Sequence, residues 1–462
     1  MPGWDTLEAL VREEIIQREQ EGCDVSEMRK QLVAAGGEEG HLFQLYQALT
    51  VLQPRPGFPY VEPNSLEEIR AQAPVRPHLA PLDSLNEAEW QDKFLGAWLG
   101  RAAGCALGKP LETWDFMYGK DGRPGWQNVR LWFEGAGEWP ISGYTPGQST
   151  AREEYGLEVR CPPSQRENIR FMESDDDLRY TVLGLILLEE KGLNFDRWDV
   201  GKLWHSYLQY HQVCTAETQA YLNFAQITSH MRGDKPANWN EKMEWVRAYL
   251  NPYQEWIGAQ IRADGLAYGV AGQPTLAAEL AWRDASFSHV KNGVYGEMFM
   301  AAVIAAAFTE PDNEKLVEIG LAQIPHNCRL AEDIRRAVDI SRKVSGQSEL
   351  VEQIWQAFQQ YNPVHTNNNA ALVVASLLFA GDDFEKAITT EVMGGWDTDC
   401  NGATLGSIMG AKLGAKKLPG SWIKPLKDTL YAEVRGFDPI AISECARRSY
   451  EVWQKLKPVI PD

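Results

Sequence analysis

The 462-residue chain has no run of 18 uncharged apolar residues, so no segment is long and apolar enough to span a bilayer as a helix. Its opening, MPGWDTLEALVREE, has carboxylates where a secretory leader needs an apolar core, and this predicts an untargeted, cytoplasmic protein. The cysteines Cys23, Cys105, Cys161, Cys214, Cys328, Cys400 and Cys445 are odd in number, scattered and without a CxxC pair. Neither a disulfide framework nor a zinc ribbon is indicated, and a reducing compartment fits. Positive charge is also scarce. Lys and Arg total 45 against 64 Asp and Glu, a formal charge of −19, which disfavours nucleic acid and anionic membrane as partners. GxxxxGK[ST], a strand-linked GxGxxG, HExxH and GxSxG are all missing, so P-loop, Rossmann, zincin and serine-hydrolase chemistries lack their signatures.

What the chain does have is helical periodicity. With 44% hydrophobic residues it can bury a large core. Leu7, Leu10, Val11, Ile15 and Ile16, then Met28 to Leu49 with Gly36 and Gly37 interrupting, predict a small N-terminal helical hairpin or cap. A proline-rich stretch over 52–82, including PRPGFP, predicts an extended connector and a domain boundary near residue 85. Two domains are therefore expected, an extension with its linker over 1–85 and a main domain over 86–462. Beyond residue 87 the apolar positions fall at helical spacing in Trp90–Leu107, Leu178–Leu188, Leu276–Ala281, Met298–Phe308, Ala370–Phe379 and Thr404–Leu413. No alternating Val, Ile and Thr strands punctuate them, so the main domain is expected to be all-α. Residues 113–172, rich in Trp, Tyr, Gly and Pro, read as a lid or a decorated insertion. Its Trp126, Trp132, Trp139 and Tyr144 could stack a planar ligand ring, but a small local core is the preferred role.

Two glycine series stand out: Gly96, Gly100, Gly104 and Gly108, then Gly402, Gly406, Gly410 and Gly414. An interior glycine costs a helix about 1 kcal/mol relative to alanine, so eight of them demand close helix-to-helix approach in return. Arg101 in the first series and Lys412, Lys416 and Lys417 around the second argue against a membrane dimer motif.

Carboxylates cluster at the ends of these series. Glu112 follows the first, Glu173-Ser174-Asp175-Asp176-Asp177 opens the next strong helix, and Asp397-Thr398-Asp399 precedes the second. A helix N-terminus accounts for part of this, with Ser174 as cap and the aspartates favoured by the helix dipole. Four carboxylates in five residues nevertheless repel one another, and a cation between them would relieve the repulsion. Ser174, Asp175, Asp176, Asp397 and Asp399 form a hard oxygen set without histidine or thiolate, suited to Mg²⁺ or Mn²⁺, with two ions expected.

The segments GAWLGRAAGCALGKPLE, ESDDDLRYTVLGLILLEE and MGGWDTDCNGATLGSIMGA, in that order, resemble the three signature segments of the ADP-ribosylglycohydrolase family. The resemblance spans residues 90 to about 420. It implies an all-α orthogonal multi-helix bundle carrying the N-terminal helical extension, with a dinuclear Mg²⁺ centre in a cleft. Ser174, Asp175 and Asp176 fall on positions for metal ligands, with Asp177 replacing a threonine; Asp397 and Asp399 do likewise. Cys400 stands where threonine is common, Trp396 is an extra residue beside the site, and Cys105 stands where Asp is frequent. Glu112 matches a glutamate that faces the scissile bond or gates the site. The implied reaction is hydrolysis at the anomeric carbon of a ribose, with Glu112 or Asp176 handling the proton. The implied partner is an ADP-ribosylated protein or a small ADP-ribosyl compound. A hydrolase of another ribosylated metabolite or nucleoside, and a non-catalytic ADP-ribose-binding or structural member, are the alternatives; retention of all five metal positions weighs against the latter. Oligomeric state is not legible.

Further candidates for substrate contact are Gly258 and Arg262 in NPYQEWIGAQIRAD, similar to a glycine-rich, arginine-ending loop of the family. An ion pair explains Arg262 at least as well. His289, Asn292 and Gly293 at the head of an Ala-rich helix resemble another active-site wall, although a lone histidine there is more often a cap or core residue. His365 and Asn367 to Asn369 read as capping residues.

Overall fold

The computed structural model describes residues 5–79, 82, 85–229 and 235–457. Residues 1–4, 80–81 and 83–84, which hold the first residues of the chain and the end of the proline-rich connector, lie outside the described residues. The described chain forms 23 α-helices and one antiparallel pair of two-residue strands, Thr429–Leu430 with Ile440–Ala441. This is the all-α bundle expected from the periodicity. No helix among the described residues is long and apolar enough to cross a membrane.

The two glycine series form the axis. Helices Glu87–Gly108 and Thr398–Leu413 run antiparallel in direct backbone contact. Gly96 faces Gly410, Gly100 faces Gly406, Gly104 faces Gly402, and Gly108 faces Thr398; a Cβ at any of these four would overlap a carbonyl oxygen of the partner helix. Because the pair is antiparallel, the end of the first helix meets the beginning of the second. Asn86 and Glu89 close a reciprocal capping box that fixes where the first helix starts. The helix Lys291–Ala307 is buried along nearly its whole length, as its Ala and Met content requires.

The N-terminal segment forms three helices, Leu7–Gln20, Ser26–Ala35 and Glu39–Thr50, rather than one hairpin, because Gly36 takes the left-handed conformation (φ 55°) that ends the second. Their own apolar cluster closes over Ala216, Leu250 and Tyr253 of the main domain. The connector is extended except for a short helix, Leu66–Gln72, in its proline-free part. It is tied down by Glu62, which receives hydrogen bonds from Arg329 and Asn292. In the 113–172 stretch Trp126, Trp132 and Tyr144 are buried. Trp132 donates to the Pro146 carbonyl (2.9 Å) and meets Phe116 edge-on, the geometry of a local core.

Candidate metal centre

The end of the first glycine helix continues into a tight turn, Lys109–Leu111, that delivers Glu112. Two hydroxyls satisfy the carbonyls exposed where the α-helix stops: Thr398 donates to Gly108 (2.9 Å) and Thr145 to Leu107 (2.6 Å). Facing that end are two helix N-termini. One belongs to Asp176–Lys191, whose entry is pinned because Met172 and Thr429–Tyr431 exchange backbone hydrogen bonds of 2.9 and 3.0 Å. The other is that of Thr398–Leu413. Two positive dipole ends thus meet a carboxylate-bearing turn, an arrangement that favours anionic side chains.

The cap of the first of these helices is Asp175, not Ser174. Asp175 accepts from the Asp177 N–H (2.9 Å), and Ser174, one residue outside, accepts from the Arg179 guanidinium (2.8 Å) instead. Asp397 and Asp399 stand on either side of the start of the second of these helices. The chain turns through Gly395 (φ 71°) and Trp396 (φ 60°), and the helix starts at Thr398, so Asp399 lies in its first turn. A tryptophan at positive φ is strained, and the strain is held beside a carboxylate cluster. His365, by its ring nitrogen, caps the helix Thr366–Ala380, while Asn367, Asn368 and Asn369 are buried within it.

Glu112, Ser174, Asp175, Asp176 and Asp397 line one cavity of about 320 Å³, together with Lys109, Arg179, Glu217, Trp256, Gly258 and Cys400. Asp399 sits behind it: ligand atoms of Asp397, Asp399 and Cys400 lie within 4.8 Å of one another, as do those of Cys105, Asp175, Asp177 and Asp399. Glu112 is open in surface terms, but that surface faces the cavity. Burial, then Asp399, Asp175 and Asp176, push its carboxyl well above the usual range. Burial and Asp175 raise Asp176 to about 6 and Asp399 to about 7. Burial, Asp399 and Glu112 raise Asp397 well above its ordinary value. Asp175 is the exception. Burial would raise it, but the Lys109 ammonium, in contact with Oδ2, holds it below the usual carboxylate range. The Cys400 thiol, pushed up by burial and by Asp177, stays protonated and makes a poor ligand for a hard cation.

A divalent cation fits this donor set. One oxygen each of Asp397 and Asp399 is buried without a hydrogen-bond partner, and such atoms are costly unless something positive faces them. Asp176 lines the cavity with Asp397 and makes no salt bridge among the described residues.

The other sequence candidates part company here. Gly258 lines the cavity, its Cα so close to Glu217 that a Cβ would strike the carboxylate. Arg262 does not line it. Its guanidinium is buried among Glu217 (2.8 Å), Asp284 (2.5 Å) and Glu297 (3.7 Å), an interior ion cluster. His289 is fully buried and bonded to Ser288 (2.8 Å); Asn292 is engaged by Glu62 (2.9 Å) and Glu255 (2.8 Å); Gly293 packs on the Gln254 carbonyl. These three are also outside the cavity lining. Trp396 lies flat on Trp355 (ring centroids 5.0 Å, 18° between planes) and lines an adjoining cavity of about 310 Å³, with Trp256 lining both.

Lys109, Arg179, Glu217 and Trp256 were not singled out from sequence. Lys109 carried a signal, the one cation of GKPLE, and Arg179 lies one turn into the helix that Ser174 precedes; Glu217 and Trp256 arrive by tertiary packing. Glu217, raised to about 7 by burial and partly offset by Arg262, adds a further carboxyl to the cavity wall.

A sequence-family model described as ADP-ribosylglycohydrolase matches residues 86–456. No curated protein matches the chain. Among solved structures, one described as an ADP-ribosylglycohydrolase-related protein complex is 21% identical, with a TM-score of 0.49, the match covering 80% of this chain and 99% of that one.

Proposed function

The chain belongs to the ADP-ribosylglycohydrolase family, and from that premise we propose that it is a divalent-metal-dependent hydrolase of a ribosyl glycosidic bond, removing ADP-ribose from a protein or small-molecule acceptor. The observation that carries the reading is convergence: carboxylates from three segments far apart in sequence, at 112, 175–176 and 397–399, meet at one cavity, and two keep a buried oxygen unpartnered. Asp176, Asp397 and Asp399 would hold the ion, with Mg²⁺ or Mn²⁺ matching their hard oxygens. When bound it supplies Lewis acidity for the ribose hydroxyls and a more acidic water. Glu112, open to the cavity and with its carboxyl raised by burial and by the neighbouring aspartates, is the group that moves a proton at the scissile bond.

Changing Glu112→Gln keeps the shape and removes the proton transfer. Expected is a fall in kcat of about 10²–10⁴-fold with KM nearly unchanged, measured as ADP-ribose released from a modified acceptor. Turnover equal to wild type removes Glu112 from the mechanism.

The adjoining cavity bears on the substrate. Its walls include Glu13 and Gln20 of the N-terminal extension, Tyr118, Trp355, Gln359 and Asn362, with no Lys or Arg among the described residues that line it. Aromatic faces and carboxamides without a cation suit an uncharged planar or hydroxylated group, not a diphosphate. We place there the part of the substrate beyond the ribose that carries no phosphate. Tyr118 is 42% exposed, so Tyr118→Ala leaves stability intact and raises KM about three- to tenfold. Running arginine-linked, serine-linked and O-acetyl ADP-ribose beside a nucleoside panel shows which substrate feels the change; a uniform, unchanged KM across all of them removes this cavity from recognition.

A further inference from the structure

Building on the metal-centre reading above, we propose that this site takes one divalent ion, and that the Lys109 ammonium stands where a second would otherwise be held. The donors divide into two groups. On one side every candidate oxygen is already committed. Asp175 gives Oδ1 to the Asp177 N–H (2.9 Å) and Oδ2 to Lys109 Nζ. Ser174 accepts from Arg179, whose guanidinium is itself fixed by Glu433 (2.9 Å) and by the Gln212 carbonyl (3.1 Å). Asp177, which is outside the expected ligand set, gives Oδ1 to Arg101 (3.1 Å), a fully buried guanidinium that also pairs with Asp264 (2.7 Å), and keeps Oδ2 without a partner.

On the other side one oxygen of each of two aspartates is free. Asp397 and Asp399 each keep Oδ1 buried and unpartnered, and no Lys or Arg side chain is bonded to either among the described residues. Asp176 likewise makes no salt bridge among the described residues. The two halves of a five-residue ligand set therefore differ, one neutralised by side chains of this chain and one with no Lys or Arg bonded to it among the described residues.

Lys109 is not a passing surface lysine. It is 9% exposed, directly precedes Pro110 in the turn that leaves the first glycine helix, and lies between buried Gly108 and buried Leu111. A dication on Asp175 would share one carboxylate with an ammonium, so the two cations exclude each other there. A lysine's single charge cannot chelate a sugar diol or acidify water as a metal does. It does fix Asp175 and leaves the helix cap intact.

The test is ion stoichiometry, read by calorimetric titration of the full-length protein with Mn²⁺ and by metal analysis after dialysis. Wild type is expected to bind one Mn²⁺ per chain, and Lys109→Met, which keeps length and removes charge, to bind two. Lys109→Gln serves as a second neutral variant, with circular dichroism melting to verify folding of both. Two ions per wild-type chain overturn the proposal without recourse to any variant. One ion in wild type and in both folded variants overturns the role given to Lys109 while leaving the metal centre standing. No ion in any of the three overturns the metal-centre reading and this proposal with it.

Discussion

Replacing Asp399 with asparagine is expected to abolish turnover and, at the same time, to raise the melting temperature of the ion-free protein. The two effects have one origin. Asp399 is 1% exposed, has an unpartnered oxygen, and is pushed by burial and by Asp175 to about 7. Its folded-state value is above the 3.8 of a free carboxyl, so the folded protein binds this proton more tightly than the unfolded chain does. Below pH about 4 both states are protonated and the group costs nothing. As pH rises toward 7 the cost accumulates, and above neutrality it is fully present, on the order of 2–4 kcal/mol. Asparagine is neutral at every pH and removes that cost, so the variant's advantage in ion-free buffer is expected at pH 8 and absent at pH 4. A divalent ion relieves the same repulsion in wild type, so chelation lowers the wild-type melting temperature more at pH 8 than at pH 5. The price appears in activity: loss of an ion ligand is expected to lower kcat/KM by about 10³-fold or more. Activity within tenfold of wild type, or a lower melting temperature in chelator at pH 8, contradicts the assignment.

This opposition between stability and function explains why part of the site was legible in sequence. Carboxylates at 112, 173–177 and 397–399 are too dense for helix capping alone, and the glycine series showed which two helices would bring their ends together. What stayed hidden was the set of counter-charges. Nothing local to Arg262 distinguishes a guanidinium reaching a substrate from one sealed against Glu217, Asp284 and Glu297, since those partners come from three other elements. His289 and Asn292 pose the same question: a polar residue at the head of a helix can face a cleft or complete an interior network, and here Ser288 engages the first while Glu62 and Glu255 engage the second. The cap shifted from Ser174 to Asp175 because Arg179, one helical turn on, captured the serine hydroxyl. The short range of periodicity and capping rules accounts for both outcomes. They give elements and their ends, whereas a buried charge is defined by partners on other elements, tens to hundreds of residues away.

The glycine axis supplies the second large effect, and it links the fold to the chemistry. Gly104→Ala is expected to destabilise the protein by about 3 kcal/mol or more, even though alanine favours the isolated helix by about 1 kcal/mol. The added methyl would overlap the Gly402 carbonyl, and the reverse substitution at Gly402 would meet the Gly104 carbonyl at 2.5 Å. Both obstacles are backbone in the middle of helices, with no side chain to rotate aside, so the helices must separate. Separation also moves Gly100 from Gly406 and Gly108 from Thr398, and Gly108 is joined directly to Lys109. The carboxylates are mounted on the two ends that this contact holds together, Glu112 on one and Asp397 and Asp399 on the other. A Gly104→Ala chain that remains folded is therefore expected to lose affinity for Mn²⁺ as well as thermal stability. Gly143→Ala is the control: its nearest neighbour is Arg166 Cδ at 4.0 Å, so a methyl there is accommodated. Melting temperature and Mn²⁺ affinity measured on both variants separate a general intolerance of glycine replacement from the close approach described. A Gly104→Ala protein as stable as Gly143→Ala would mean that the two helices do not touch backbone to backbone, and that some other contact sets the spacing of the carboxylates.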